Sequence, residues 1–179
     1  MNDKIAIITG AARGIGFGIG TCLARDGYHI VIADLDGAAA QAAADNFGGL
    51  GVACDVAQRA QVETLVQRTV AKYGRIDVLV NNAGICPFVD IMEISEATFR
   101  KTLDVNLVGA FHCTQLVAND MVARHVKGRI VFVTSLAANV TSAMQGDYAA
   151  SKAGLHMLMK SFAIALGPQG ITCNASRPA

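Results

Sequence analysis

No apolar run in the 179-residue sequence reaches the roughly 18 residues that read as a membrane span; Lys152, His156 and Lys160 interrupt the best candidate. The opening stretch, MNDKIAIITG, offers one lysine and a short apolar run before a glycine, too little for a signal-peptide core. Charged residues are scarce, at 16%, and balanced: 15 Lys and Arg against 14 Asp and Glu give a formal charge of +1. There is no basic block, so no nucleic-acid footprint is expected. Five cysteines, Cys22, Cys54, Cys86, Cys113 and Cys173, form no C-x-x-C pair. Their odd number and wide spacing argue against a disulfide framework or a zinc site, and most of them read as small buried hydrophobes. The expected setting is a reducing cytoplasm. The four histidines form no metal constellation, and no metal is expected.

Apolar residues, by contrast, are abundant: 53% of the chain, with a mean hydropathy of +0.40. The length predicts a single domain with a self-sufficient core. Six short stretches rich in Ile and Val read as strands: 4–9, 29–34, 50–55, 76–81, 129–134 and 171–175. They are apolar on both faces, the pattern of a parallel sheet covered on both sides. Helical segments are predicted between them at 14–26, 37–46, 58–73, 95–122 and 148–166, with Ser95 as an N-cap. Such β-α alternation predicts an α/β, Rossmann-type doubly wound parallel sheet with helices on both faces.

The first strand runs into TGAARGIG, residues 9–16. Gly10 permits a tight turn, and Gly14 and Gly16 let backbone amides approach a pyrophosphate at a helix N-terminus. The strict G-x-G-x-x-G spacing and a Walker A motif are both absent, and glycines alone also serve as turn punctuation. The second strand ends in Asp34, where a carboxylate can accept from an adenosine ribose and repel a 2′-phosphate. NAD is therefore expected over NADP, with Asp36 and Gly37 better placed than Asp34 to start the next helix.

Tyr148 and Lys152 stand four apart in DYAASK, on one face of a helix. A phenol, with a pKa near ~10, needs ~4 kcal/mol to become a base at neutral pH. One ammonium about 4 Å away at an effective dielectric of ~20 supplies roughly that. The magnitudes allow the pair to act as a general acid and base, although Tyr-x-x-x-Lys alone is most often a plain surface pair.

TGAARGIG, CDV (54–56), NNAG (81–84), NLVG (106–109), VTS ending in Ser135, and YAASK occur in this order. Together they resemble the short-chain dehydrogenase/reductase family across essentially the whole chain. The resemblance implies an oxidoreductase with a catalytic tetrad of Asn106, Ser135, Tyr148 and Lys152. Tyr148 would exchange the proton, Ser135 would hydrogen-bond the same substrate oxygen, Lys152 would hold the nicotinamide ribose, and Asn106 would fix a relay water. It implies cofactor contacts from Arg13 and Ile15 beside the three glycines, from Asp55 and Val56 at the adenine, and from Asn81, Asn82, Ala83 and Gly84. Asp104 and Asp147 flank these positions but match no role, and read as solvated or capping.

Substrate contacts are expected from residues 85–89, from whatever follows Pro178, and from 136–145, where Asn139, Thr141, Ser142 and Gln145 favour a compact hydroxylated substrate such as a polyol, sugar or hydroxyketone. A 3-oxoacyl-thioester reductase shares every motif, though Asp34 weighs against it. A non-catalytic dinucleotide-binding protein is the alternative from another class. The helices carrying Asn106 and Lys152 are apolar most of the way round, which predicts a homodimer or homotetramer packed through them. The last nine residues, ITCNASRPA, match the sixth strand and the turn where the family usually has Pro-Gly. The resemblance implies a further substrate loop, helix and edge strand after it; without them the sixth strand would be an edge exposed to aggregation, with no lid to exclude water.

Overall fold

The computed structural model describes residues 4–178. Ala179, where the family usually has a glycine, lies outside them. Strands β1 (Ile5–Thr9), β2 (His29–Asp34), β3 (Leu50–Ala53), β4 (Val78–Asn81), β5 (Arg129–Val133) and β6 (Thr172–Ser176) form one sheet. It is parallel throughout, in the order β3-β2-β1-β4-β5-β6. Strand order reverses between β1 and β4, which opens a crevice at the carboxyl ends of the strands.

Period-two alternation sorts the strand side chains into two cores. Ile5 and Ile7 of β1, with Val31 and Ala33 of β2, face one side; Ala6, Ile8, Ile30 and Ile32 face the other. Because both faces are covered, every residue of β1 is buried. The smaller core is closed by helices α1 (Gly14–Arg25) and α2 (Gly37–Asp45). The alanines of α2 let it lie so close to β3 that a Cβ at Gly51 would collide with the backbone of Gln41. The larger core is closed by α3 (Arg59–Tyr73), α5 (Gly109–Ala123) and α6 (Gly146–Leu166). Its centre is Phe132, fully buried and stacked on Phe162 at 6.5 Å.

The predicted helix over 95–122 is broken. Ser95 caps α4 (Glu96–Leu103), accepting from the Thr98 amide at 3.1 Å. A π turn at Asp104–Val108 follows, and α5 starts only at Gly109. The extra residue in that turn is associated with Asn106, whose side chain leaves the helix surface to bind backbone of the segment after β4. Hydrophobic periodicity over so long a stretch hides one inserted residue. Gly109 is needed there for close approach, since a Cβ would sit 2.6 Å from Cγ2 of Val56.

Candidate active site

At one end of the crevice β1 runs into the glycine turn. Thr9 Oγ1 accepts the amides of Asn82 and Ala83, both at 3.1 Å. The Asn82 carboxamide donates back to the carbonyls of Thr9 and Gly10 at 2.9 and 2.8 Å. Gly10 has φ +61°, and a Cβ on it would lie 2.7 Å from Ala83 Cα. Gly16 is equally confined, 2.6 Å from Asn82 Nδ2 if it carried a Cβ. Helix α1 begins with no side-chain cap from Arg13, so first-turn amides are left without a side-chain acceptor. A tight glycine turn with uncapped amides fits the pyrophosphate of a dinucleotide.

Asp34 closes β2 and accepts the Ala12 amide through Oδ2 at 3.0 Å. Helix α2 is capped instead by Asp36, which accepts from Ala38 and Ala39, both at 3.0 Å. A cleft of about 500 Å³ runs along this edge, lined by Gly10, Arg13, Ile15, Asp34, Asp55, Val56, Asn82, Ala83 and Gly84. Nine of the expected cofactor residues thus share one surface, with Gly14 and Gly16 shaping the backbone beside them. Asn81 stands apart from these nine. It is buried at 4% exposure and donates to Thr114 Oγ1 at 2.9 Å, so it anchors β4 to α5 rather than lining the cleft. Leu35, Lys101 and Val105 also line it and were not anticipated. The four-residue spacing of Lys101 and Val105 was the available signal.

The cleft continues into a cavity of about 290 Å³ lined by Ser135, Tyr148, Lys152, Cys86 and Thr134, with Ile15, Asn82, Gly84 and Ile85 shared between the two. Ser135 lies two residues beyond the end of β5 and caps the short turn Leu136–Ala138; its Oγ accepts the Ala137 amide at 3.1 Å, leaving the hydroxyl hydrogen free. Tyr148 and Lys152 come from the first turns of α6, with the ammonium 5.5 Å from the phenol ring centroid. Lys152 is only 4% exposed and donates to the Val133 carbonyl at 2.8 Å. Burial pulls its pKa down from 10.5 to about 8, with the nearby Cys86 acting in the opposite sense.

Asn106 stands directly behind this group. A Cβ placed on Gly84 would be 3.3 Å from Asn106 Oδ1 and 3.4 Å from Lys152 Nζ. The Asn106 amide is fully committed: Oδ1 accepts the Ile85 amide at 2.8 Å, and Nδ2 donates to the Ile85 carbonyl and to Ser151 Oγ at 2.9 and 3.0 Å. Asp104 is exposed as expected, but Asp147 is not solvated. It is fully buried in the first turn of α6, 2.6 Å from Thr102 Oγ1 of α4, where a carboxylate is favoured by the helix dipole. No cluster of three or more potential metal ligands occurs among the described residues.

The chain belongs to the short chain dehydrogenase family, whose model matches residues 4–179. It is 43% identical over 185 residues to an L-rhamnose 1-dehydrogenase (NAD(P)+) of Azotobacter vinelandii, an alignment covering 98% of this chain and 72% of that protein. It is 38% identical to a galactitol 2-dehydrogenase of Agrobacterium fabrum, over 99% of this chain and 70% of the relative. A short-chain type dehydrogenase/reductase from Mycobacterium marinum superposes with a TM-score of 0.95 at 31% identity, covering 98% of this chain and 72% of that one. This chain is accordingly an NAD(P)-dependent oxidoreductase acting on a secondary alcohol or its ketone.

Proposed function

We propose that the chain interconverts a small polyhydroxylated substrate (a polyol, sugar or hydroxyketone) with its oxidised form, using NAD in preference to NADP. One observation carries this reading: Ser135, Tyr148 and Lys152 line a single cavity that opens into a cleft bounded by Asp34. Bound NAD would supply the hydride acceptor. Tyr148 takes the hydroxyl proton of the substrate, and Ser135 donates to the same oxygen. Lys152 holds the nicotinamide ribose and keeps a positive charge beside the phenol. The Asn106 carboxamide is occupied by Ile85 and Ser151, so a relay water on Asn106 would be held through its backbone.

The names of two relatives, a rhamnose and a galactitol dehydrogenase, support the polyhydroxylated class. NAD preference rests on Asp34, whose Oδ1 has no bond to the Ala12 amide and is available to a ribose hydroxyl. NADH formation, read with a panel of polyols, hydroxy acids and acyl thioesters, tests the reading. Fastest turnover of an acyl thioester would replace it with the thioester-reductase alternative. In the same assay Asp34→Ala is expected to lower the NAD-to-NADP preference at least ~10-fold, the worth of a hydrogen bond to a charged group. An unchanged ratio would remove Asp34 from the ribose site.

The groove between α5 and α6 supports a homo-oligomer. Leu107, Val108, Phe111, Met157 and Leu158 line it, with Met157 59% exposed. Light scattering at micromolar concentration is expected to give at least a dimer, and a folded monomer would refute that. A cytoplasmic setting is supported by the free thiols of all five cysteines. We further propose that the chain is a single dinucleotide-binding domain.

A further inference from the structure

We infer that Gln145 selects the substrate: its carboxamide binds a hydroxyl on the carbon next to the reacting one, so vicinal diols and α-hydroxyketones are preferred over simple alcohols. This rests on the oxidoreductase reading of the site and deepens it.

Four polar side chains lie in the segment from Leu136 to Gln145, which follows the cavity-lining Ser135; two of them are turned to other partners and a third is exposed. Asn139 accepts from the Arg177 guanidinium at 3.1 Å. Thr141 is exposed and donates to the Ser142 carbonyl at 3.2 Å, and Ser142 is itself exposed. Gln145 differs from them. It is half-buried, and its Nε2 lies 3.9 Å from Sγ of Cys86. Cys86 lines the same cavity as Ser135, Tyr148 and Lys152. A thiol is a weak acceptor, so this contact holds the amide beside a residue of the cavity lining and is readily exchanged for a hydroxyl.

The position of Gln145 supports the assignment. It ends a short 3-10 turn (Ala143–Gln145) that runs straight into α6, three residues before Tyr148. The segment is also fixed in place. The Ile91 amide donates to the Ala143 carbonyl at 2.9 Å, and a Cβ on Gly146 would lie 2.5 Å from Ile91 Cδ1. Cys86 and Gln145 therefore sit on two segments joined to each other. A carboxamide offers both a donor and an acceptor without charge, which matches a neutral hydroxyl.

The test compares kcat/KM for butane-2,3-diol and butan-2-ol in the wild type and in Gln145→Met, which keeps length but loses both polar atoms. The diol-to-monool ratio is expected to fall about tenfold, mainly through KM for the diol, the size of one lost hydrogen bond in a polar subsite. Equal losses on both alcohols, or an unmoved ratio, would overturn the assignment. If Gln145→Met turns over neither alcohol, Cys86→Ser decides. Its hydroxyl is a stronger acceptor that competes for the amide, so the ratio should again fall, and no fall would overturn the assignment. A wild-type chain that oxidises neither alcohol would sink the oxidoreductase reading itself, and this inference with it.

Discussion

Tyr148→Phe is expected to lower kcat by about 10²–10⁴-fold, the range contributed by a positioned general acid or base, while the melting temperature stays close to that of the wild type. The phenol is half-buried at the mouth of the cavity, and its hydroxyl makes no hydrogen bond to the protein among the described contacts. Removing one oxygen there leaves the packing of α6 in place. The ring still lies beside the Lys152 ammonium, whose anchor on the Val133 carbonyl does not involve Tyr148. Steady-state NADH formation and a thermal melt, run side by side, separate chemistry from folding. Retained turnover in the variant would mean that another group carries the proton.

Lys152→Met is the second large effect, and it moves activity and stability in opposite directions. Activity is expected to fall at least ~100-fold, because the charge beside the proton-transferring group is gone. Stability is expected to rise. Burial lowers the Lys152 pKa from 10.5 to about 8, so the folded state carries the charged form at a cost of about 3 kcal/mol. Loss of the bond to the Val133 carbonyl offsets roughly 1–2 kcal/mol of the relief. The folded pKa lies below the unfolded one, so the penalty is complete below pH 8. It fades as pH rises from 8 towards 10.5, where the folded chain has shed a proton that the unfolded chain still holds. The stability advantage of Lys152→Met should therefore be largest at neutral pH and shrink through that window. Denaturant melts at pH 7 and pH 10 measure it, and a wild type that is the more stable at pH 7 would contradict it.

The sheet was legible because its strands are buried on both faces and therefore read as apolar runs, and β2 begins and ends where its sequence does. Runs that overshoot, such as those through Asp55 and Ile76, include residues that are buried or capped without joining the ladder. The π turn was not legible, since it goes with a long-range pairing: Asn106 Oδ1 accepts the amide of Ile85, 21 positions away. Asp147 was misjudged for the same reason: its partner Thr102 lies 45 residues earlier, on another helix. In the site, spacing on one helix placed Tyr148 beside Lys152. Whether Asn81 or Asn82 faced the crevice depended on the pleat at the end of β4, which four adjacent motif residues do not reveal.

The tie between Ile91 and Ala143 has a thermodynamic consequence for binding. The two segments that flank the cavity mouth come from distant parts of the chain, and each alone would be free to wander. One backbone bond and the contact of Ile91 with Gly146 hold them against each other. Much of the conformational freedom that a ligand would otherwise have to quench there has already been surrendered during folding. Preorganisation of this kind strengthens binding without adding a contact, because less ordering is left to be done when the ligand arrives.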